Sequence, residues 1–341
     1  MRATVFRGAR EIEVTDVPRP ETQPDEVLIR VAYCGICGSD LEAYHTGMYE
    51  PGMIIGHEFA GTLVQVGAGV TGWQIGERVT VNDAIPCNVC AECCAGRLDA
   101  CESLLLPGIT QEGACAEYTK TVARGLHRLP DVVTLRQGAL VEPLAVALHG
   151  VRKSRLKPGD RVVVLGAGPI GLLTLQCALL AGVRSVVVTE VDTARAALAR
   201  QLGATAVFDP TRDNVNVALA GMTERRGADI VFVCSGAPNA FGNAVSLVRH
   251  GGQIFVLGVC VEPVATDFMT VALNELCIEG SFAGRAEFPA AIDFIAQRRV
   301  NVDALVSHEI ALENIVAQGF KRLETPESGA VKILLAINHD K

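Results

Sequence analysis

Cys87, Cys90, Cys93 and Cys101 fall in the spacing C-x2-C-x2-C-x7-C. Four thiolates gathered by short loops suit tetrahedral zinc with no open position, a structural site rather than a reactive one. Iron–sulfur proteins also use C-x2-C-x2-C, but the fourth spacing and the acidic surroundings suit such a cluster less well. Cys94 adjoins Cys93 and could replace it or stay free. A second set is dispersed: Cys34-Gly-Ile-Cys37-Gly-Ser-Asp40, then Gly56-His57-Glu58, then Glu142-Pro143 within an apolar helical stretch. A histidine and carboxylates in such runs are costly to bury without partners. Cysteine, histidine and carboxylate with one position left open make a catalytic zinc site. Zinc there would polarise an alcohol oxygen and lower its pKa, and hydride could then pass to a nicotinamide. Taken alone, the same residues also fit a satisfied core histidine and two structural ion pairs.

The nicotinamide has a place to bind. The apolar run Val162–Leu165 leads into Gly166-Ala167-Gly168-Pro169-Ile170-Gly171, followed by an apolar helical segment to about Ala181 and a second run, Val186–Thr189, closed by Glu190. Strand, G-x-G-x-x-G turn, helix, strand and acid form the dinucleotide fingerprint. Gly166 allows the tight turn, Gly168 lets backbone approach a pyrophosphate, and Gly171 lets helix and strand pack closely. The free N–H groups of the helix start attract phosphate. Glu190 can accept from a ribose 2′-hydroxyl and would repel a 2′-phosphate, which favours NAD over NADP. Arg195, nearby, is the kind of residue that accommodates a 2′-phosphate.

These groups need two kinds of scaffold. Val27–Ala32, Phe59–Val66 and Arg78–Val81 read as strands between glycine, proline and acidic turns, with no long helical period before about residue 134. Thr134-Leu-Arg-Gln137 is a capping box that opens a helix running through Glu142 to about Lys153. From Arg161 strands and helices alternate: strands at 162–165, 186–190, 205–208, 229–233, 253–257 and 277–281, helices at 193–201 and 239–249 among them. That is a doubly wound parallel sheet. A helix at 288–298 and a strand at Val331–Ala336 return to the first domain. The expected domains are 1–155, 156–285 and 286–341.

The chain has 341 residues, 49% of them hydrophobic, and a net charge of −8. It can bury a large core, and it offers no basic surface for nucleic acid. No uninterrupted apolar stretch has membrane-spanning length and no signal peptide opens the sequence, so a cytoplasmic protein is expected. Of the twelve cysteines, the clustered ones read as metal ligands or catalytic groups rather than disulfides. Cys177, Cys234, Cys260 and Cys277 sit in apolar surroundings and read as buried small hydrophobes.

Gly35–Asp40 (GICGSD), Gly56–Gly61 (GHEFAG), the four-cysteine lobe, Val141-Glu-Pro-Leu144, the glycine turn and Val331–Leu335 occur in an order that resembles the zinc-dependent medium-chain alcohol dehydrogenases across the whole chain. Within them the chain looks like the polyol branch of sorbitol, 2,3-butanediol and threonine dehydrogenases. The resemblance implies a GroES-like β-barrel catalytic domain beside a Rossmann domain, one catalytic and one structural zinc, NAD, a small alcohol substrate and a homo-tetramer. It implies Cys37 and His57 as catalytic zinc ligands, with Glu58 and Glu142 competing for the third place. Ser39 would bind the substrate hydroxyl and start a proton relay, and Asp40 would orient His57. Ile170, Glu190, Arg195, Leu257, Gly258 and Val259 would contact the cofactor, with Ser281 and Phe282 near the nicotinamide. Many relatives place a relay histidine two residues after the aspartate; here Glu42 stands there, and His45 follows. Ala283-Gly284 replaces the Arg-Tyr pair of sorbitol dehydrogenases, and Glu287–Ala290 and Ile310–Phe320 look closer to butanediol dehydrogenases. Tyr44, Tyr49 and Phe282 are pocket candidates. Two other readings remain: oxidation of threonine or another amino alcohol, and a nucleotide-binding relative without catalysis.

Overall fold

The computed structural model describes residues 1–325 and 328–338. Six parallel strands form one sheet in the order Ala206–Phe208, Ser185–Thr189, Arg161–Leu165, Ala228–Val233, Val248–Val256 and Cys277–Gly280. The order reverses direction between the strands Arg161–Leu165 and Ala228–Val233, and such a switch point opens a ligand crevice at the strand ends. Val162–Leu165 are at most 3% exposed, as expected of a strand covered on both faces. The helix Pro169–Leu180 begins with proline in its first turn, and its Leu172, Leu173 and Leu175 are fully buried.

The second sheet is built around the strand Glu26–Gly35. Glu58–Val66 pairs along its length on one side. On the other side it takes Tyr118–Val122 at residues 26–30 and Lys332–Ala336 at residues 33–35. Arg78–Val81 and Leu126–Arg128 continue the sheet beyond Glu58–Val66, and Val306–Ile310 lies beyond Lys332–Ala336. The last described strand therefore lies beside the strand that leads to Cys37.

Two elements depart from the sequence reading. A nine-residue helix, Gly38–Thr46, stands in the region read as β. It is held at its start by the Asp40 carboxylate, whose Oδ2 accepts from the Cys37 N–H at 3.0 Å, and it ends at Gly47 with φ +77°. The capping box at Thr134–Gln137 is present, but the helix it opens stops after Gly138 and a new one spans Val141–Lys153. Pro143 explains the break. In a continuous helix its ring would meet the carbonyl four residues back, whereas in the first turn of a new helix its missing N–H costs nothing. The new helix packs Leu144, Ala145 and Leu148 into one core with Leu172 and Leu173 of the nucleotide-binding helix and with Phe288 and Ile292 of the helix Phe288–Ala296.

Candidate active site

Cys37, His57 and Glu58 come from the start of the helix Gly38–Thr46 and from the turn that enters the strand Glu58–Val66. One donor atom from each lies within 4.8 Å of the others. Gly56 makes that turn at φ +97°, and a side chain there would meet the sulfurs of Cys115 and Cys34 at 2.4 and 2.8 Å. Nδ1 of His57 faces Oδ1 of Asp40 at 3.9 Å, and neither atom has a hydrogen-bond partner among the described residues. Burial alone would hold the imidazole pKa down, but Asp40 and the Cys37 sulfur push it well above its ordinary value. Thiol, imidazole and carboxylate converging in a buried, proton-collecting cluster are a donor set suited to zinc.

The Glu58 carboxylate is already neutralised. Lys332, 2% exposed, donates to both of its oxygens at 2.7 and 2.6 Å and to the Ile36 carbonyl at 2.9 Å. Burial opposes the ammonium charge, but Glu58 overcomes it and raises the Lys332 pKa. Glu142, in the first turn of the helix Val141–Lys153, is buried and faces the Asp83 carboxylate. Burial and the Asp83 charge push its carboxyl well above the usual range. Ser39 is half-buried beside the hydroxyl of Tyr49, which is 4% exposed.

The four-cysteine lobe closes on itself. Cys87, Cys90, Cys93 and Cys101 bring one sulfur each within 4.8 Å of the others, and the Cys87 and Cys93 sulfurs are 3.9 Å apart. Backbone N–H groups of Val89, Cys93 and Cys87 lower the pKa of Cys87, Cys90 and Cys101 respectively. Cys93, buried among the others, is pushed up to about 12, a cost that a cation at the centre would remove. The set fits zinc with all four positions filled by protein. Cys94 is exposed and lies outside the cluster.

The nucleotide turn is equally well formed. Gly166 has φ +98°, a side chain on Gly171 would stand 1.9 Å from the Gly166 carbonyl, and one on Gly168 would meet open space where a pyrophosphate could lie. Glu190 follows the strand Ser185–Thr189. Its Oε2 accepts from the Ala167 N–H, and its Oε1 from those of Val191 and Asp192. Gly258 packs against the backbone of Cys234 and Ser235, and Leu257 lies against Gly150 of the interdomain helix. Val259 and Phe282 are 52% and 58% exposed, and the Ser281 hydroxyl is buried without a hydrogen-bond partner among the described residues.

Residues 23–131 match the family model of the alcohol dehydrogenase GroES-like domain, and residues 169–297 that of the zinc-binding dehydrogenases. The sorbitol dehydrogenase of Bacillus subtilis is 32% identical over 92% of this chain and 91% of its own. The chain belongs to the zinc-dependent alcohol dehydrogenases. Among solved structures it superposes on the 2R,3R-butanediol dehydrogenase of Bacillus subtilis with a TM-score of 0.89, 31% identity and 99% of each chain covered. A zinc-binding dehydrogenase from Sinorhizobium meliloti, solved with NADP, gives 0.91, 34% and 98% of each. This alcohol dehydrogenase is therefore an oxidoreductase that uses zinc and NAD(P).

Several residues singled out in the sequence are engaged elsewhere in the dehydrogenase. The His45 imidazole is bonded to Glu324, away from a free relay position. Glu42, half-buried on the same helix, offers its carbonyl to the Thr46 hydroxyl. Tyr44 stacks on Phe320 at 4.9 Å and belongs to the packing rather than to a pocket. The guanidinium of Arg195 donates twice to the Ala330 carbonyl, at 2.9 and 2.5 Å, and so ties the nucleotide domain to the returning tail. Cys260 is exposed, not buried, and lines a groove with Ser235 and Gly258; Cys234 and Cys277 are half-buried, and Cys177 is buried as expected. Sequence reasoning missed Lys332 and Asp83. The signal for Lys332 was a lone lysine in an otherwise apolar strand; for Asp83 it was an acid directly after the strand Arg78–Val81.

Protein purified from zinc-containing medium is expected to carry two zinc ions per chain by metal analysis. Cys37→Ala should retain the one at the cysteine lobe. Cys93→Ala should lose that one and expose residues 87–101 to protease. Two ions in Cys37→Ala would rule out its part in the open site.

Proposed function

We propose that this dehydrogenase oxidises a secondary alcohol of a diol or polyol, with 2,3-butanediol-like compounds as the leading class, to the ketone with NAD. The reading is carried by the cluster of half-buried Cys37 with buried His57 and Glu58 in a chain that also presents an open phosphate turn. The sorbitol- and butanediol-acting relatives support the substrate class. When bound, zinc would acidify the alcohol and nicotinamide would take the hydride. Cys37 and His57 would hold the metal with a glutamate. Glu58 lies in the cluster but is bound to Lys332, so we favour Glu142, whose charge reaches Cys37 and His57. Asp40 sets the imidazole ring. Ser39 accepts the hydroxyl proton, with Tyr49 beside it. Residues 1–155 and the returning segment 286–341 make up the catalytic unit, and 156–285 the cofactor unit.

For the cofactor we favour NAD. Three N–H groups hold the Glu190 carboxylate at the ribose end, and Arg195 is committed to Ala330. Amino alcohols form the second reading, because the buried carboxylates of Asp83 and Glu142 would suit an ammonium. Among the described residues no helix is long and apolar enough to cross a membrane, which accords with a cytoplasmic enzyme. For the assembly we favour a homo-tetramer. The strand Cys277–Gly280 leaves one edge of its sheet without a partner strand among the described residues. Nearby Phe268, Met269 and Leu273 are 73%, 70% and 69% exposed. An open edge beside apolar side chains invites a second copy.

Assayed with NAD, a panel of vicinal diols, sugar alcohols and threonine is expected to give the highest kcat/KM with a diol; no turnover of any alcohol would refute the reading. Glu190→Ala should reduce the preference for NAD over NADP by about 10- to 100-fold, the worth of one or two charge-assisted hydrogen bonds. An unchanged ratio would show that cofactor choice lies elsewhere. Light scattering should find an oligomer in the native protein and a smaller species in Met269→Glu/Leu273→Glu; a native monomer contradicts the assembly.

A further inference from the structure

Asp83 stands where the pieces of the site meet. It lies just past the strand Arg78–Val81 and is 9% exposed. Its carboxylate faces the Glu142 carboxyl and the Gly284 backbone, and it lies within electrostatic reach of His57. Each neighbour belongs to a different part of the molecule. Glu142 opens the interdomain helix, Gly284 follows the Ser281–Phe282 segment that leaves the nucleotide-binding sheet, and His57 belongs to the metal cluster. Gly284 is pressed onto that helix so tightly that a side chain there would stand 2.3 Å from the Ala145 backbone. The seam therefore fixes where Asp83 can be.

One atom in this arrangement is unaccounted for. Oδ1 of Asp83 is buried and has no hydrogen-bond partner among the described residues. A buried acceptor left without a donor is expensive, and native proteins rarely leave one so unless a ligand supplies the donor. Asp40, the other carboxylate of the site with an unpartnered oxygen, has the His57 imidazole facing that oxygen. At Asp83 the neighbouring side chain is another acid, Glu142, and no hydrogen bond reaches Oδ1 among the described residues.

We propose that Asp83 is a specificity-determining residue: its free oxygen accepts a hydrogen bond from a donor group on the carbon next to the one being oxidised. The site then selects alcohols with a vicinal hydroxyl or ammonium over monohydric alcohols of the same size. The inference rests on the diol reading and sharpens it. It also explains how a pocket without the Arg-Tyr pair can still hold a second polar group. The rejection follows the usual asymmetry: a buried polar group built to be paired discriminates strongly against an analogue that leaves it unpaired.

The experiment compares 2,3-butanediol, 3-amino-2-butanol and 2-butanol in the native enzyme, Asp83→Ala and Asp83→Asn. For each protein it records kcat/KM, calorimetric affinity for the alcohols in the presence of NADH, and zinc content. Asp83→Ala should lose about 10- to 100-fold in kcat/KM and in affinity for its favoured bifunctional substrate, while 2-butanol changes less than about threefold and zinc content holds. Asp83→Asn separates the donors. It should keep most of the diol activity if the donor is a hydroxyl, and lose as much as alanine if it is an ammonium. Equal losses on all three alcohols, or a fall in zinc content, would make Asp83 a support for Glu142 and overturn the inference. So would unchanged kinetics. If Asp83→Ala does not fold, a native enzyme that takes 2-butanol as readily as both bifunctional alcohols overturns it. A native enzyme that turns over none of the bifunctional alcohols defeats the diol reading itself, and the inference with it. A native enzyme active on them whose variants show no selective loss defeats the inference alone.

Discussion

Burying Glu58 beside a metal cluster is possible only because a cation reaches it. Lys332 supplies that cation from 274 positions along the chain, through two contacts below 2.8 Å. Breaking such a pair would leave an uncompensated interior charge worth about 3–5 kcal/mol. Much of the architecture follows from that need. The chain must leave the catalytic sheet, build the parallel sheet, and return so that Lys332–Ala336 lies along Tyr33–Gly35. Gly35 is part of the same requirement, since a side chain there would stand 2.2 Å from the Glu58 carboxylate.

The domains share one core. Leu144 and Leu148 of the helix Val141–Lys153 lie in one core with the nucleotide-binding helix and the returning segment, and Arg195 grips the Ala330 carbonyl from the cofactor side. The tail that brings Lys332 to the metal cluster is thus also held by the helix that follows Glu190. Cofactor end and metal end are joined by a few residues of backbone.

What could be read in the sequence was what depends on local spacing. The glycine turn, the four-cysteine lobe and all six parallel strands are encoded within short windows, and their positions were legible to within a few residues. The helix Gly38–Thr46 was not, because nine residues with five polar side chains give little hydrophobic period and its start is fixed by Asp40 reaching back to Cys37. The break before Val141 was legible in principle, since Pro143 announces it. Lys332, the engagement of His45 with Glu324 and that of Arg195 with Ala330 were beyond reach, because each depends on a partner more than 130 residues distant. The family resemblance supplied Cys37 in place of Cys34, which spacing could not, and Cys34 proves to be buried against Cys115.

The distance between Glu58 and Lys332 also has a meaning in time. A ribosome adding roughly 5–20 residues per second takes roughly 15–55 s to go from one to the other. Throughout that interval the amino-terminal sheet holds a carboxylate meant for the interior and no ammonium to meet it. The nucleotide-binding sheet, whose strands run from Arg161 to Gly280, can close on the ribosome from residues already made. The catalytic unit cannot be completed until its final strand emerges. The order of synthesis therefore makes the cofactor domain the first to mature and the reactive centre the last.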